Sequence, residues 1–270
     1  YEEKSIERAI LLSVKNNSKS IVTIGYSHSV HWNVHYYFHI RQNKNGDSPR
    51  PDIYAVTGLL EKWWLCNVAK IPEEKIKVLG SSRHTTKIYT IPDCCFNDRN
   101  MNVFIAVGQS SDLKILANYM EEKPHIFKNC NLLIRKYPFD WEKEQEDGIS
   151  RIRKYVSRLR INNAESLETQ IKWCDITLYN SSSCGIIAML SGRIAINVAL
   201  HDIFYWNPLE KDGSKNVVIH CKTATELNET INRIKKFNSE KYSKIQKKQF
   251  SYANNVYSPI NNKVLNKLFK

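Results

Sequence analysis

The clearest sequence evidence for the fold is in residues 102–136, NVFIAVGQSSDLKILANYMEEKPHIFKNCNLLIRK. This stretch opens and closes on short, largely apolar runs at 102–107 and 131–136, and residues 112–122 between them have apolar side chains at helical spacing. Apolar strands that are separated by helices indicate a parallel sheet covered on both faces. The stretch therefore predicts a strand, a helix and a strand of a doubly wound α/β domain.

The same alternation extends to both sides of this stretch. Strands are predicted toward the C-terminus near 155–159 and at 175–179, 195–199 and 216–221, with helices at 165–173, 184–190 and 225–237. Toward the N-terminus, strands are predicted at 20–26, 52–57 and 75–79, with helices at 2–14, 29–40 and 59–68. Residues 80–100 follow neither period and are interpreted as a link. We therefore expect two Rossmann-like parallel-sheet domains, over residues 1–95 and 96–270.

Composition narrows the class of protein. The 270 residues are 42% hydrophobic with only 9 Gly and 8 Pro, which excludes a disordered or low-complexity chain. No apolar run approaches the length of about 20 residues that a membrane-spanning helix needs. The seven cysteines form no CxxC pair, which favours reduced thiols over disulfides or a zinc site.

Several catalytic motifs do not occur in the sequence. It has no GxxxxGK(S/T) loop, no GxGxxG fingerprint and no GxSxG elbow, which argues against a kinase, an NAD-dependent dehydrogenase and a serine hydrolase. It also has no Asp-x-Asp pair to bridge a metal to a nucleotide diphosphate. His31, His35 and His39 share one face of a predicted helix, and we interpret them as packing residues rather than metal ligands. Neither a metal nor a cofactor is predicted.

The segment VGQSS, residues 107–111, is the first candidate phosphate site. Gly108 permits a tight turn after a strand, and Gln109 and Ser110 lie beside the start of a helix, where unpaired N–H groups favour an anion. Serine is also a common helix cap, so a purely structural role stays open.

The segment YNSSSCGIIAMLSG, residues 179–192, is the second and stronger candidate. Ser181, Ser182 and Ser183 precede a predicted helix, whose dipole favours an anion at its start. Gly185 would let a ligand approach the backbone closely. Capping needs one serine rather than three, so we expect a phosphate site here.

Two further candidates follow other predicted strands. Arg135 and Lys136 lie at the carboxyl end of a strand, where they could pair with phosphate or be ordinary solvated cations. His28 comes directly after the strand at 20–26, so its imidazole is a candidate general base or substrate contact.

The order of these segments resembles that of a known family. The matching pieces are IGYSHS at 24–29, PDIYAVTG at 51–58, IPEEKIKVLGSSRH at 71–84, VGQSS, LIRKYP at 133–138, and residues 165–198. In this order they are similar to two-domain GT-B-type glycosyltransferases of bacterial surface-polysaccharide synthesis (capsule and lipopolysaccharide), including the group that transfers polysialic acid, Kdo or glycerophosphate. The resemblance covers roughly residues 24–198.

The resemblance implies a nucleotide-sugar donor bound by the second domain and a glycan or lipid-linked glycan acceptor between the domains. It implies that Ser181, Ser182 and Ser183 hold the donor phosphate, and that 135–138 matches a basic His-Pro segment. Ile187 stands where many such enzymes have a ribose-binding Glu, which favours a CMP-linked acidic sugar. A complete first domain of this family would be longer, so we expect the one over 1–95 to be incomplete.

Two alternative functions stay open, and the charge distribution bears on one of them. A nucleotide-sugar 2-epimerase has the same architecture, and the net charge of +13 would also suit a module that binds nucleic acid or an anionic membrane. The excess charge is concentrated in 235–270 and 151–160. No nucleic-acid motif is present, so we expect no nucleic-acid partner. A cytoplasmic enzyme with peripheral membrane contact through 235–270 is expected.

Overall fold

The chain folds into two compact units. The computed structural model describes residues 5–18, 20–28, 49–84, 96, 99–109, 111–136, 142–199, 207, 209 and 214–268. One unit comprises Tyr1–His84 with Asn254–Lys270, and the other comprises Thr85–Ala253. The described strands form two parallel sheets, of three and six strands, and helices alternate with the strands along the chain. The predicted α/β class is therefore confirmed.

The first unit has a three-stranded parallel sheet in the order β1-β2-β3. Its strands are β1 (Ile24–Tyr26), β2 (Ile53–Val56) and β3 (Ile76–Val78). Helix α1 (Ser5–Asn17) precedes the sheet, and α2 (Leu59–Asn67) joins β2 to β3. Trp64 and Leu65 of α2 are fully buried in the core of this unit. The helix predicted at 29–40 lies outside the described residues.

The last residues of the chain pack on the carboxyl edge of this small sheet. Ser258 N donates to Thr57 O at 2.9 Å, and Asn261 N donates to Leu79 O at 2.8 Å. Gly80 has a φ of +98°, and a Cβ there would lie 2.2 Å from Pro259 O, so the contact requires glycine. These bonds group 254–270 with the first unit, whereas the sequence boundary assigned all of 96–270 to the second domain.

The second unit contains the six-stranded sheet. Its strands are β4 (Met101–Ala106), β5 (Cys130–Arg135), β6 (Leu159–Ile161), β7 (Ile176–Tyr179), β8 (Ile194–Val198) and β9 (Ile219–Cys221). Its helices are α3 (Asp112–Glu122), α4 (Glu142–Arg153), α5 (Leu167–Trp173), α6 (Cys184–Leu190) and α7 (Ala224–Lys235), followed by α8 (Ser239–Val256). After α8, the chain ends with α9 (Asn262–Leu268) in the first unit.

The strand order of the large sheet locates its ligand crevice. The order is β6-β5-β4-β7-β8-β9 and every pair is parallel. Counted within the unit this is 3-2-1-4-5-6, the order of a doubly wound dinucleotide-binding sheet. The direction of winding reverses between β4 and β7, and ligands bind such sheets outside the carboxyl ends of the strands at that point. The predicted doubly wound domain is confirmed.

Two elements of this unit differ from the sequence prediction. Helix α4 was interpreted as a charged connection, yet its Ile149 and Ile152 are fully buried on one side. Strand β6 begins at Leu159 rather than near 155, because the chain is still turning after α4: Tyr155 N donates to Ile152 O at 3.0 Å.

The sequence predicts reduced thiols and no membrane-spanning helix, and both expectations can be compared with the described residues. Cys66, Cys130, Cys174, Cys184 and Cys221 are free thiols. Among the described helices, none combines the length and the apolar character that crossing a membrane requires.

Candidate functional site

The two serine-containing segments meet at the reversal point of the sheet. Ala106 and Tyr179 are register partners at the ends of β4 and β7, so the loops that follow them are neighbours. A Cβ on Gly108 would lie 2.5 Å from Ser181 Oγ and 3.0 Å from Ser182 N. Only glycine leaves room for this approach. The structure therefore brings together the two segments that the sequence analysis selected independently.

A buried carboxylate joins these loops. Asp112, at the start of α3, is 4% exposed and accepts hydrogen bonds from Gly108 N (2.8 Å) and Gln109 N (3.0 Å) through Oδ2. Its Oδ1 accepts from Asn180 Nδ2 at 3.0 Å. The amides of Gly108 and Gln109, which the sequence analysis offered to phosphate, therefore donate to the protein itself. Asp112 was not predicted, although an Asp at a helix start is a typical capping residue.

The three serines of the second segment are all partly exposed. Ser182 Oγ accepts from Cys184 N, the first amide of α6, at 3.3 Å, while Ser183 occupies the N-cap position of this helix. One serine of the three thus has the structural role that the sequence analysis left open. Ser181 and Ser183 flank it on the same loop, at the carboxyl end of β7.

Gly185 is required by packing. A Cβ at this position would lie 2.6 Å from Cγ and Cδ1 of Tyr179, whose ring fills the space beside the helix. The close approach that the sequence analysis attributed to a ligand is made here by the Tyr179 ring. Gly185 itself is buried.

The two predicted cations lie at the same edge of the sheet, at the end of β5 and beside β4. Arg135 Nη1 donates to Glu165 O and Gln170 Oε1, both at 2.9 Å. Lys136 Nζ lies 2.8 Å from Glu146 Oε1 in an ion pair at the surface. Both side chains are partly exposed and both have partners within the protein.

A row of polar side chains continues along this edge. Tyr179, Asn197 and His220 are register partners on β7, β8 and β9. Asn197 Nδ2 donates to Asn180 O at 2.8 Å, and its Oδ1 lies 3.4 Å from His220 Nδ1. Asn207 Nδ2 lies 3.4 Å from the same ring nitrogen. The sequence contains a signal for this row, because Asn197 and His220 are polar residues within otherwise apolar strands. The sequence analysis did not use that signal.

The surroundings of His220 favour the neutral form of its imidazole. Burial lowers the pKa of its imidazole below the ordinary value of 6.5, and the positive charge of Lys222 lowers the pKa further. The partly exposed imidazole is therefore available as a neutral hydrogen-bonding group at the carboxyl edge.

A small cavity of about 20 Å³ lies at the reversal point, among the carboxyl ends of β4, β7 and β8. Its walls are mainly apolar, and Asp112 and Asn180 supply the polar side chains. The lining residues are Ile105, Ala106, Val107, Asp112, Leu116, Leu178, Tyr179, Asn180 and Val198.

His28 belongs to the first unit. It follows β1 and is exposed, and Ser27 N beside it donates to Ala55 O at 2.9 Å, which continues the strand pairing to this point. Ser110, Tyr137 and the histidines at 31, 35 and 39 lie outside the described residues. Among the residues that the structure describes, no three His, Cys, Asp or Glu side chains converge as a metal-binding group.

No protein-family profile matches the sequence, and no curated protein matches it. Solved structures do match its fold. The structure of UDP-GlcNAc 2-epimerase from Neisseria meningitidis, bound to UDP-GlcNAc, superposes with a TM-score of 0.60 at 11% identity, over 98% of this chain and 73% of that chain. A point mutant of S. aureus TarM in complex with fondaparinux, alpha-GlcNAc-glycerol and UDP superposes with a TM-score of 0.58 at 12% identity, over 97% and 53%. The S. aureus MnaA–UDP structure gives 0.56 at 9% identity, over 96% and 76%.

At identities this low the likeness is one of fold. The chain has the GT-B-like α/β fold that the sequence analysis expected. It spans about half the length of the TarM chain and about three quarters of the MnaA chain. That the domain over 1–95 is incomplete stays a prediction.

Proposed function

We propose that the protein is a glycosyltransferase that moves a sugar from a nucleotide-sugar donor to a surface-glycan acceptor, either free or lipid-linked. The observation that carries the proposal is the contact between Gly108 and the Ser181 loop at the reversal point of a doubly wound sheet. Nucleotide phosphates bind at this position in sheets of this order. The resemblance in the order of motifs supports the same chemistry.

The donor phosphates are proposed to lie on the loop after β7. The hydroxyls of Ser181, Ser182 and Ser183 would donate to phosphate oxygens, and Ser110 would add another hydroxyl. Gly108, Gln109 and Gly185 contribute shape, because the first two donate to Asp112 and the third packs on an aromatic ring.

Charge develops on the leaving phosphate during transfer. The acceptor hydroxyl attacks the anomeric carbon, the new C–O bond forms, and the bond from that carbon to the phosphate oxygen breaks. The nucleotide leaves with the electron pair. Preorganised donors and cations at this position stabilise the developing charge, and Arg135 and Lys136 are proposed for this role after exchanging their present partners.

The hydroxyl proton must pass to a base. His28 is the proposed base or acceptor contact, because it is exposed at the carboxyl end of a parallel strand. No step of this proposal uses a metal-bound Asp-x-Asp pair.

The donor nucleotide is proposed to be CMP linked to an acidic sugar. Ile187 is partly exposed in the first turn of α6 and offers no carboxylate to a ribose, which favours recognition through the phosphate. UDP is named with the TarM and MnaA structures and is the matched comparison nucleotide.

A 2-epimerase is the second candidate function. The N. meningitidis structure that shares this fold is a UDP-GlcNAc 2-epimerase bound to UDP-GlcNAc. Epimerisation needs a donor but no acceptor, so the two functions differ in a measurable requirement.

A peripheral contact with an anionic membrane at the cytoplasmic face is also proposed. Lys241, Lys244, Lys247 and Lys248 are exposed on α8, while Tyr242 on the same helix is fully buried. Lysines beside an anionic surface contribute about 1 kcal/mol each. A contact of this kind would bring the enzyme to a lipid-linked acceptor.

The experiment that tests the proposed function incubates the chain with CMP-, UDP-, GDP- and CDP-linked sugars, with and without a glycan acceptor. Transfer predicts nucleotide release and a lengthened glycan only when the acceptor is present. A changed sugar without acceptor would instead establish epimerisation. Turnover that is unaffected by Ser182→Ala with Ser183→Ala would remove the proposed phosphate site.

A further inference from the structure

A second polar cavity lies at the opposite edge of the large sheet. It has a volume of about 320 Å³ and is partly open to solvent. Asn100, Asn129 and Arg158, which lie just before β4, β5 and β6, are among its lining residues, so it belongs to the amino edge. The carboxyl edge, with Gly108 and Ser181, is at the other end of these strands. The lining residues are Asn100, Pro124, His125, Phe127, Lys128, Asn129, Cys130, Tyr155, Val156, Ser157 and Arg158.

The lining of this cavity is cationic. Lys128 and Arg158 are exposed, and neither side chain forms an ion pair or hydrogen bond with the residues that the structure describes. Lys235 Nζ donates to the backbone carbonyl of Lys128, which brings a third cationic group to the rim. His125 adds an imidazole, and none of the described lining residues is an Asp or a Glu.

The carboxylate of Asp175 does not neutralise these cations. Asp175, before β7, accepts two hydrogen bonds of 2.8 Å from Arg99 and one of 2.7 Å from Asn102 N. The guanidinium of Arg99 therefore balances the negative charge of Asp175. Cys130 adds no negative charge either, because burial raises the pKa of its thiol to about 11.

We propose that this cavity binds a compact oligo-anion with at least two phosphate groups. Arg158 can grip a phosphate with two parallel N–H donors, and Lys128 can hold a second phosphate as a point charge. The side chains of Asn100, Asn129 and Ser157 supply neutral donors. A volume of this size is typical of small-molecule sites. The site is separate from the proposed donor site, so it stands whether or not sugar transfer is established.

The test measures binding of inorganic tripolyphosphate and pyrophosphate to the full chain by titration calorimetry. Every titration uses a background chain that carries Ser182→Ala and Ser183→Ala, so that the proposed donor site does not contribute to binding. Adding Lys128→Glu with Arg158→Glu is expected to weaken binding by about tenfold or more. The matched control, Lys77→Glu with Lys215→Glu, removes two exposed cations that do not line the cavity and is expected to change the dissociation constant by less than about twofold.

Three results would overturn the proposal. They are no binding of either phosphate by the background chain, equal loss of affinity in the control and cavity variants, and unchanged affinity in the cavity variant. Far-UV circular dichroism and thermal unfolding of each variant show that a loss is not caused by misfolding. A Lys128→Gln, Arg158→Gln variant provides a second measurement if the reversed charges prevent folding. If a single-stranded oligonucleotide binds the cavity and pyrophosphate does not displace it, the ligand is a phosphodiester polymer. That result would also contradict the proposal of a compact oligo-anion.

Discussion

The backbone of Gly108 lies against the side chain of Ser181, so close that a Cβ on Gly108 would be 2.5 Å from Ser181 Oγ. The two residues are 73 positions apart in sequence and belong to loops after neighbouring parallel strands. Since this contact lies where the winding of the sheet reverses, it defines the wall of the proposed donor site. The proposed binding of a donor phosphate depends on the shape of that wall.

Gly108→Ala is expected to push the Ser181 loop away from β4. Overpacking of this kind costs about 1–3 kcal/mol of unfolding free energy. Urea denaturation measures the cost. Ser181→Ala removes the atom that makes the shortest contact, so the double variant should be less destabilised than the sum of the two single variants. Simple additivity would show that the two residues do not press on each other.

Asp112→Asn is expected to loosen both loops. The amide places an NH₂ group where one carboxylate oxygen now accepts, and an unmatched buried donor costs about 1–3 kcal/mol. The free energy of unfolding measures this loss. Asp147→Asn, at an exposed position on α4, is the matched control and should be nearly neutral. Equal stability of both variants would contradict the role assigned to Asp112.

His220 makes stability depend on pH. Since burial lowers the pKa of the imidazole in the folded chain, the unfolded chain binds a proton first as the pH falls below 6.5. The free energy of unfolding therefore decreases from about pH 6.5 downward and levels off below the pKa of the folded state. Lys222 faces the imidazole as the nearby charge, and the polar contacts are with Asn197 and Asn207.

Denaturation at about pH 8 and about pH 5.5 measures this effect. His220→Gln should show a smaller loss of stability on acidification than the unchanged chain, because glutamine does not titrate. The difference between the two chains removes the contribution of the other histidines. An equal loss in both would show that the pKa of His220 is not lowered by folding.

The lysines of α8 predict salt-sensitive membrane binding. The unchanged chain should sediment with phosphatidylcholine vesicles that contain phosphatidylserine and should be released as salt rises, since screening weakens the attraction. Lys241→Glu with Lys248→Glu should reduce the bound fraction. Lys114→Glu with Lys172→Glu changes the charge equally on other helices and should retain binding. Indifference to salt and to the α8 change would remove the proposed contact.

Much of the fold could be predicted from hydrophobic periodicity. The strand at 102–107 and the helix at 112–122 were found almost to the residue, because each pattern is strong and uninterrupted. Helix α4 was missed because charged residues outnumber its few buried ones. The strand order of the large sheet was not predicted, since pairing depends on contacts between residues distant in sequence.

The site was only partly visible in the sequence. The loops with Gly108 and Ser181 were selected because glycine and serine clusters after strands have a recognised role. Asp112, Asn197 and His220 were not, because a single polar residue in or beside an apolar strand has no distinctive spacing. Only the fold shows that they lie at one edge of the sheet.

Nucleotide binding by the loop with Ser181, Ser182 and Ser183 is the strictest test of the proposed donor site. Titration calorimetry with CMP, and with UDP as the comparison, should give binding that weakens by about tenfold or more in Ser182→Ala with Ser183→Ala. The matched control Ser150→Ala with Ser251→Ala removes two exposed helical serines and should bind as the unchanged chain does. Binding of neither nucleotide by the unchanged chain, or equal affinity in both double variants, would contradict the assignment of the donor site.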